Sequence, residues 1–380
     1  MKYLLFLMWA TSMLIDETAL PPRPGGTPHH QQVAARIDAL ASRDGPGVQY
    51  VIVDTTKVIF EHSSGLSDIR GGTLLSLHHT MAAFSMTKTI TAIAVLQLME
   101  EKRLDIDERV SNYVEHPYDQ GITIRQLLAH TSGIPNPIPL KWVHLANKHD
   151  QFDERKALDD VLKASPDSDT RPGERYAYSN IGYWLLGKVI EAVSKQSFPV
   201  CITQRIFQPL HLTPAEIGFD IVFPANHARG YLAKYSFWNL FKRFVTEDEV
   251  WGEYEGNWLR VENVYVNGPA FGGIVGSAGA FGRILQDLLS GESVLLRGAS
   301  KSLLFERQRT NDGNAIDMTL GWHIGELDGV KYFYKEGGGA GFHSEMRVYP
   351  SHGLGSVIMT NRTSFDSRGE LSEIDRHFLK

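Results

Sequence analysis

Apolar residues along the chain switch between helical and strand spacing, and the switches mark out its elements. Val33, Ile37 and Leu40 recur at steps of three and four, which predicts an amphipathic helix over Gln32–Leu40. Two β-rich runs follow, Val48–Val53 and Lys57–Glu61, split by Asp54-Thr55-Thr56, and these predict a hairpin. From Ser85 to Glu101 the apolar positions Met86, Ile90, Ile93, Ala94, Leu96 and Leu98 continue without Gly or Pro. A mostly buried helix starting at the Ser is expected. Further helical runs lie at Ile124–His130, Arg155–Ala164 and Asn180–Ser194, punctuated by Pro135, Pro137, Pro139 and Pro172-Gly173. Beyond Phe271 the chain turns Gly-rich and then β-rich. Strands are expected at Tyr332–Tyr334, Glu345–Tyr349 and Leu354–Thr360, with a closing helix over Asp366–Leu379.

Strand-rich ends around a helix-rich middle imply an α/β (α+β) fold: a mainly antiparallel sheet, flanked by terminal helices, with an inserted all-helical domain. The expected division is 29–103 plus 266–380 for the α/β domain and 104–265 for the insertion. The insertion ends in an aromatic-rich stretch, Tyr235, Phe237, Trp238, Phe241, Phe244, Trp251, Tyr254 and Trp258. It reads either as a flap or acyl pocket over an active site or as core or subunit packing. Residues 1–28 form a signal-like or disordered segment and a linker. Met1-Lys2 followed by the apolar run Tyr3–Ile15 has the size of a secretory signal and is too short to span a bilayer, with Ala10-Thr11-Ser12 the best cleavage candidate. The expected location is therefore periplasmic or secreted, the alternative being a cytoplasmic enzyme with an apolar tail. Pro21-Pro22-Arg23-Pro24-Gly25-Gly26 reads as the linker.

Composition removes several classes of function. With 38 Lys+Arg against 44 Asp+Glu the formal charge is −6, which gives no basic field for a nucleic acid. The single cysteine, Cys201, excludes an intrachain disulfide framework or a thiolate metal cluster, and its apolar surroundings read as those of a buried small hydrophobe. His29-His30 and His78-His79 lack a carboxylate at ligand spacing, so no metal is expected. Gly182 to Lys188 mimics a phosphate loop, but Val189 follows where Ser or Thr is needed. No Gly-x-Ser-x-Gly occurs. No integral membrane span, nucleic acid or cofactor is expected, and the number of subunits stays open.

Three separate stretches carry the chemistry. Ser85-Met86-Thr87-Lys88 is the one Ser-x-x-Lys of the chain. On a helix its first and last side chains share a face, with Cβ atoms about 5–6 Å apart, so the amine reaches the hydroxyl. A Ser at a helix N-terminus also sits where the macrodipole favours an alkoxide. A capping Ser with a Lys extended to solvent is the competing reading of these four residues. Tyr178-Ser179-Asn180 precedes the apolar helix; a Tyr loses its proton near neutrality only beside a cation, and a Lys could supply that field. Taken alone, Tyr178 also reads as a core aromatic and Asn180 as a cap. Lys335-Glu336-Gly337-Gly338-Gly339-Ala340-Gly341 lies between two expected strands. Its glycines make a poor strand but allow close approach and leave an N–H for an oxyanion, unless they form a flexible loop.

In this order the three stretches resemble the serine β-lactamase and penicillin-binding superfamily. Phe84 to Lys88, Leu127-Leu128-Ala129-His130-Thr131-Ser132-Gly133, Pro172-Gly173 to Gly187, and Gly272-Gly273-Ile274-Val275-Gly276-Ser277-Ala278 sharpen the resemblance. They point to the branch of class C β-lactamases, D-alanyl-D-alanine peptidases and family VIII carboxylesterases, over roughly Ile52 to Asn361. The resemblance implies a β-lactamase/transpeptidase-like fold and a serine hydrolase working through an acyl-enzyme. It implies Ser85 as nucleophile, Lys88 as its activator, and Tyr178 as the base that relays a proton to the leaving group. Asn180 would fix these side chains, and the oxyanion would rest between the Ser85 N–H and an N–H of the C-terminal strand. Relatives carry Lys-Thr-Gly or His-x-Gly at the third motif, so two registers are open here. Either Lys335 is the cation, with Gly337 beside it and Gly338 giving the N–H, or Glu336 stands in its place and Gly339 gives the N–H. In both, a carboxylate beside the site opposes anionic substrates. Small acyl esters are the leading substrates, ahead of β-lactams and D-alanyl or other amides; a penicillin-recognising sensor or scaffold that does not turn over is a third reading.

Overall fold

Residues 28–41, 44–137, 141–237, 239 and 248–380 are described in a computed structural model of the chain. The signal-like run, the linker, Pro139, Trp238, Phe241 and Phe244 lie outside the described residues. A six-stranded antiparallel sheet forms the frame. Its strands are β1 (Val48–Val53), β2 (Val58–Ser64), β3 (His323–Leu327), β4 (Val330–Gly339), β5 (Phe342–Tyr349) and β6 (Leu354–Thr360), in the spatial order β3-β4-β5-β6-β1-β2. The two ends of the chain thus meet at the β1–β6 pair, which runs in register from Val48 opposite Thr360 to Val53 opposite Gly355.

Every residue of β1 is buried, because helices cover both faces of the sheet. Strand alternation sends Tyr50 and Ile52 towards α1 (Pro28–Leu40) and the closing helix α5 (Ser367–Asp375), where they join Val33, Ile37, Leu371 and Ile374. Val51 and Val53 point the other way, onto α4 (Ala278–Leu289), in an apolar cluster that continues without a break into α2 (Thr87–Glu100) and α3 (Asn180–Ser194). Helix α2 is buried almost all round, which is why its pattern is apolar throughout rather than striped.

The hairpin, α3 and β6 fall where the sequence places them. Two expectations change. The stretch 104–265 carries strands as well as helices: Gly230–Ala233, Trp251–Glu255 and Trp258–Val261 form a three-stranded antiparallel sheet, and Val143–Leu145 pairs with Val264–Val266. These strands are shorter than the window over which alternation is legible. The Gly-rich motif is strand as well. Strand β4 runs through Lys335 to Gly339, and each of these residues pairs with β5. Backbone pairing on a neighbour outweighs the low strand preference of glycine. Among the described residues no helix is long and apolar enough to cross a membrane.

Candidate active site

Ser85 lies in a single 3-10 turn, Phe84–Met86, that leads into α2. Phe84 takes φ 44°, the left-handed region that a bulky residue rarely adopts and that costs on the order of 1–3 kcal/mol. The turn is held from both sides: the Ala83 N–H donates to the Ile274 carbonyl, and the Ser344 hydroxyl reaches the Ala83 carbonyl at 3.4 Å.

One turn into the helix, Lys88 is fully buried. Its Nζ stands 2.7 Å from Asn180 Oδ1, 2.7 Å from the Phe271 carbonyl and 3.0 Å from Ser85 Oγ. Asn180 is the first residue of α3, capped by Ser179, whose hydroxyl accepts from the Gly182 N–H. The Phe271 carbonyl comes from the short helix Pro269–Gly272, tied to α2 because Thr91 donates to the Ala270 carbonyl and Thr87 accepts from the Ile274 N–H. Tyr178 OH closes the group, 2.9 Å from Ser85 Oγ. Three distant segments therefore bring Ser85, Lys88, Tyr178 and Asn180 into one hydrogen-bonded set.

Burial, and then the charge of Lys335, pull the Lys88 amine well below its ordinary range. The same burial pushes the Tyr178 phenol up, against a smaller downward pull from its bond to Ser85. This runs against the expectation that the lysine's field would ionise the tyrosine: burial lowers the amine and raises the phenol, favouring the uncharged form of both. The amine's three hydrogen-bonding neighbours are all oxygens, Asn180 Oδ1, the Phe271 carbonyl and Ser85 Oγ, and Nζ donates to each.

The third motif lies across Ser85. Lys335 is 1% exposed, with Nζ 5.0 Å from the centre of the Tyr178 ring, while Glu336 pairs with His343 at 2.8 Å; both Lys335 and Glu336 line the cavity. A Cβ on Gly337 would lie 2.1 Å from the Ala83 carbonyl and 3.0 Å from the Ser85 nitrogen, so only glycine allows β4 this close to the nucleophile turn. Gly338 lies beyond it on the cavity wall.

Above the group opens a cavity of about 590 Å³. Of the expected aromatic flap, Trp251 lines it; Tyr235 and Phe237 are exposed, and neither they, Tyr254 nor Trp258 is part of the wall. The apolar wall comes instead from Phe84, Trp142, Phe271, Leu232, Val250 and Val266, distributed over elements that no local pattern joins. His130 lies in the Leu127–Gly133 stretch. Its ring packs 4.3 Å from that of Tyr178, and its Nδ1 accepts from the Ser179 N–H, so it fixes the loop from which Tyr178 projects. His323, on β3, was not singled out at all; it lines the cavity beside Lys335. Among the described residues no cluster of three metal-ligating side chains occurs.

The family model described as Beta-lactamase matches residues 33–378. Protein flp of Staphylococcus aureus (strain N315) is 36% identical over 176 residues, 44% of this chain, and the match spans about a third (34%) of that relative's length. Penicillin-binding protein 4* of Bacillus subtilis (strain 168) is 26% identical over 315 residues, covering 80% of this chain and 66% of that protein. Among solved structures, the D-amino acid amidase of Ochrobactrum anthropi SV3 in complex with D-phenylalanine superposes with a TM-score of 0.72 at 17% identity, over 93% of this chain and 99% of that one. At that identity the likeness is one of fold. With a model matched across nearly the whole described chain, this protein belongs to the Beta-lactamase family of serine hydrolases and acyl transferases.

Proposed function

We propose that the protein is a serine hydrolase that works through an acyl-enzyme on Ser85, and that its preferred substrates are small, uncharged acyl esters. The carrying observation is the Lys88 amine, buried and held between Asn180 and Phe271 with its open side 3.0 Å from Ser85 Oγ, at the floor of a largely apolar cavity. In this reading the Ser85 hydroxyl proton passes to Lys88 as Oγ attacks the carbonyl carbon. Tyr178, still protonated and 2.9 Å from Oγ, hands a proton to the departing oxygen. The Ser85 and Gly338 N–H groups receive the oxyanion, and loss of one such donor costs about a hundredfold or more in rate. Water then attacks the acyl carbon and gives its proton to the Tyr178 phenolate, while Lys88 returns its proton to Ser85 Oγ as the acid leaves.

Charge supports ester over penicillin. Hydrogen bonding to His343, with the nearby Arg368, keeps the Glu336 carboxyl ionised, and Lys335, the facing cation, is brought down to about 7 by burial. An anionic substrate meets a fixed negative charge and an amine that is charged only part of the time at neutral pH.

Turnover of nitrophenyl butyrate, nitrocefin and a D-amino acid amide, measured side by side, tests the reading. Butyrate hydrolysis with a single acyl mass on Ser85, absent in Ser85→Ala, is expected. Faster nitrocefin or amide turnover would assign a β-lactamase or an amidase instead, and a stoichiometric adduct that never clears would assign a sensor.

A further inference from the structure

We propose that His323 is a positioning residue for Lys335, and that the pair lets this cavity choose between anionic and uncharged acyl substrates according to pH. The inference deepens the esterase reading and rests on it for the identity of the substrates.

Lys335 has an unusual set of neighbours for a buried amine. Among the described residues its one hydrogen-bonding partner is His323 Nε2, on the adjacent strand β3, at 3.4 Å. The face of the Tyr178 ring is the other close contact. The carboxylate next in sequence, Glu336, also on the cavity wall, is engaged by His343, with Arg368 at 3.9 Å. The remaining titratable and charged groups around the pair do not hold a proton on Lys335. The Lys88 amine on α2 is itself lowered by burial and by Lys335, and His130 is kept neutral by burial, Lys335 and Lys88. Tyr176, whose ring meets the His323 ring edge-on at 6.3 Å, and Tyr334, at 5.1 Å from it, are pushed up by burial and remain uncharged. His323 itself is held well below its ordinary range by burial, Lys335, Arg368 and Lys88.

A neutral imidazole offers an ammonium one acceptor lone pair and no charge. That is enough to aim the amine into the cavity and too little to keep it protonated through the neutral range. Burial, opposed only by Glu336, brings Lys335 down to about 7. Below that midpoint the amine is charged and favours a substrate carrying a carboxylate. Above it the charge is gone, Glu336 still opposes the anion, and uncharged esters are preferred.

Two measurements on the full chain test this. The first follows the Lys335 side chain by NMR in protein labelled at the lysine Cε, across pH 5–10, in wild type, His323→Gln and His323→Leu. Gln keeps an acceptor and Leu removes it, so the midpoint stays near that of wild type in the first and falls in the second, the two separated by about one pH unit or more. The second compares kcat/KM for nitrophenyl butyrate with that for the nitrophenyl hemiester of succinate. The succinate-to-butyrate ratio falls by about tenfold or more across the wild-type midpoint, as expected from losing a charge a few ångströms from the carboxylate, and its inflection follows the midpoint in each variant. A purely structural histidine would lower both rates together and leave the inflection in place. Equal midpoints in the two variants, or a ratio flat with pH, overturn the proposal even if the esterase reading stands. If neither ester is turned over, the esterase reading falls and the NMR titration still decides the role of His323.

Discussion

Lys88 shows how one side chain trades stability for reactivity. Its folded-state pKa is depressed, so folding forces off a proton that the unfolded chain keeps up to about pH 10. That cost is greatest at low pH and shrinks as the pH approaches the range of a free lysine. Lys88→Met, which fills the same space, is expected to abolish turnover, lowering it by at least about a thousandfold, and to raise stability by about 0.5–2 kcal/mol at neutral pH. Denaturant unfolding of the variant checks it, with a gain that grows as the pH is lowered. The same depression fixes the acid limb of activity: kcat/KM falls as the pH drops through the Lys88 midpoint, because the protonated amine can no longer take the serine proton. Residue types were the most legible level of the sequence. Ser85, Lys88, Tyr178 and Asn180 were picked out by spacing and order, and they meet within 2.7–3.0 Å. Their protonation states were not legible, since these follow from burial that no motif records.

Elements decide how the site is shaped. The Lys335–Gly339 half of β4 was unreadable as strand, though Tyr332–Tyr334 was read as one, because its glycines are chosen for proximity: at Gly337 a methyl group would overlap the Ala83 carbonyl. Gly337→Ala is expected to push β4 off the nucleophile turn and lower kcat by about a hundredfold or more with a smaller change in the melting temperature, measured by ester turnover and thermal unfolding together. The two walls that carry Trp142 and Trp251 belong to short strand pairs that the pattern missed. Trp142→Ala or Trp251→Ala is expected to enlarge the acyl pocket and move the optimum of a nitrophenyl ester series towards longer chains, by about tenfold in relative kcat/KM. An unchanged chain-length profile would place the acyl group elsewhere in the cavity. Long elements with one unbroken period, such as α3 and β6, were legible to the residue; strands of three to five residues were not.

Across the whole molecule, the closing helix is tied to the sheet by a buried polar network. Arg347 and Glu345 on β5 are fully buried and paired at 2.6 Å, and Asp375 on α5 accepts from Tyr50 on β1, Tyr349 on β5 and Ser356 on β6. Ser367 links Glu345 to His343, and His343 holds Glu336 on the strand that carries Lys335. Both chain ends and the active-site strand are thus joined through one set of charges. Arg347→Leu leaves Glu345 and Asp375 buried without their cation and is expected to cost about 3–5 kcal/mol, seen as a lower denaturation midpoint. A shift of under about 1 kcal/mol would show that the network is dispensable.

What the amino-acid order settled alone was the chemistry available and the periods of the longer elements, because residue type and local spacing are properties of the chain itself. It also implied that the two ends build the sheet, since strand-rich ends flank a helix-rich middle. The folded structure decided which amine is buried beside the serine, which residues of β4 meet it, and which residues wall the cavity. Each of these depends on solvent exclusion and on contacts between segments far apart in sequence, and neither exists until the chain has closed on itself.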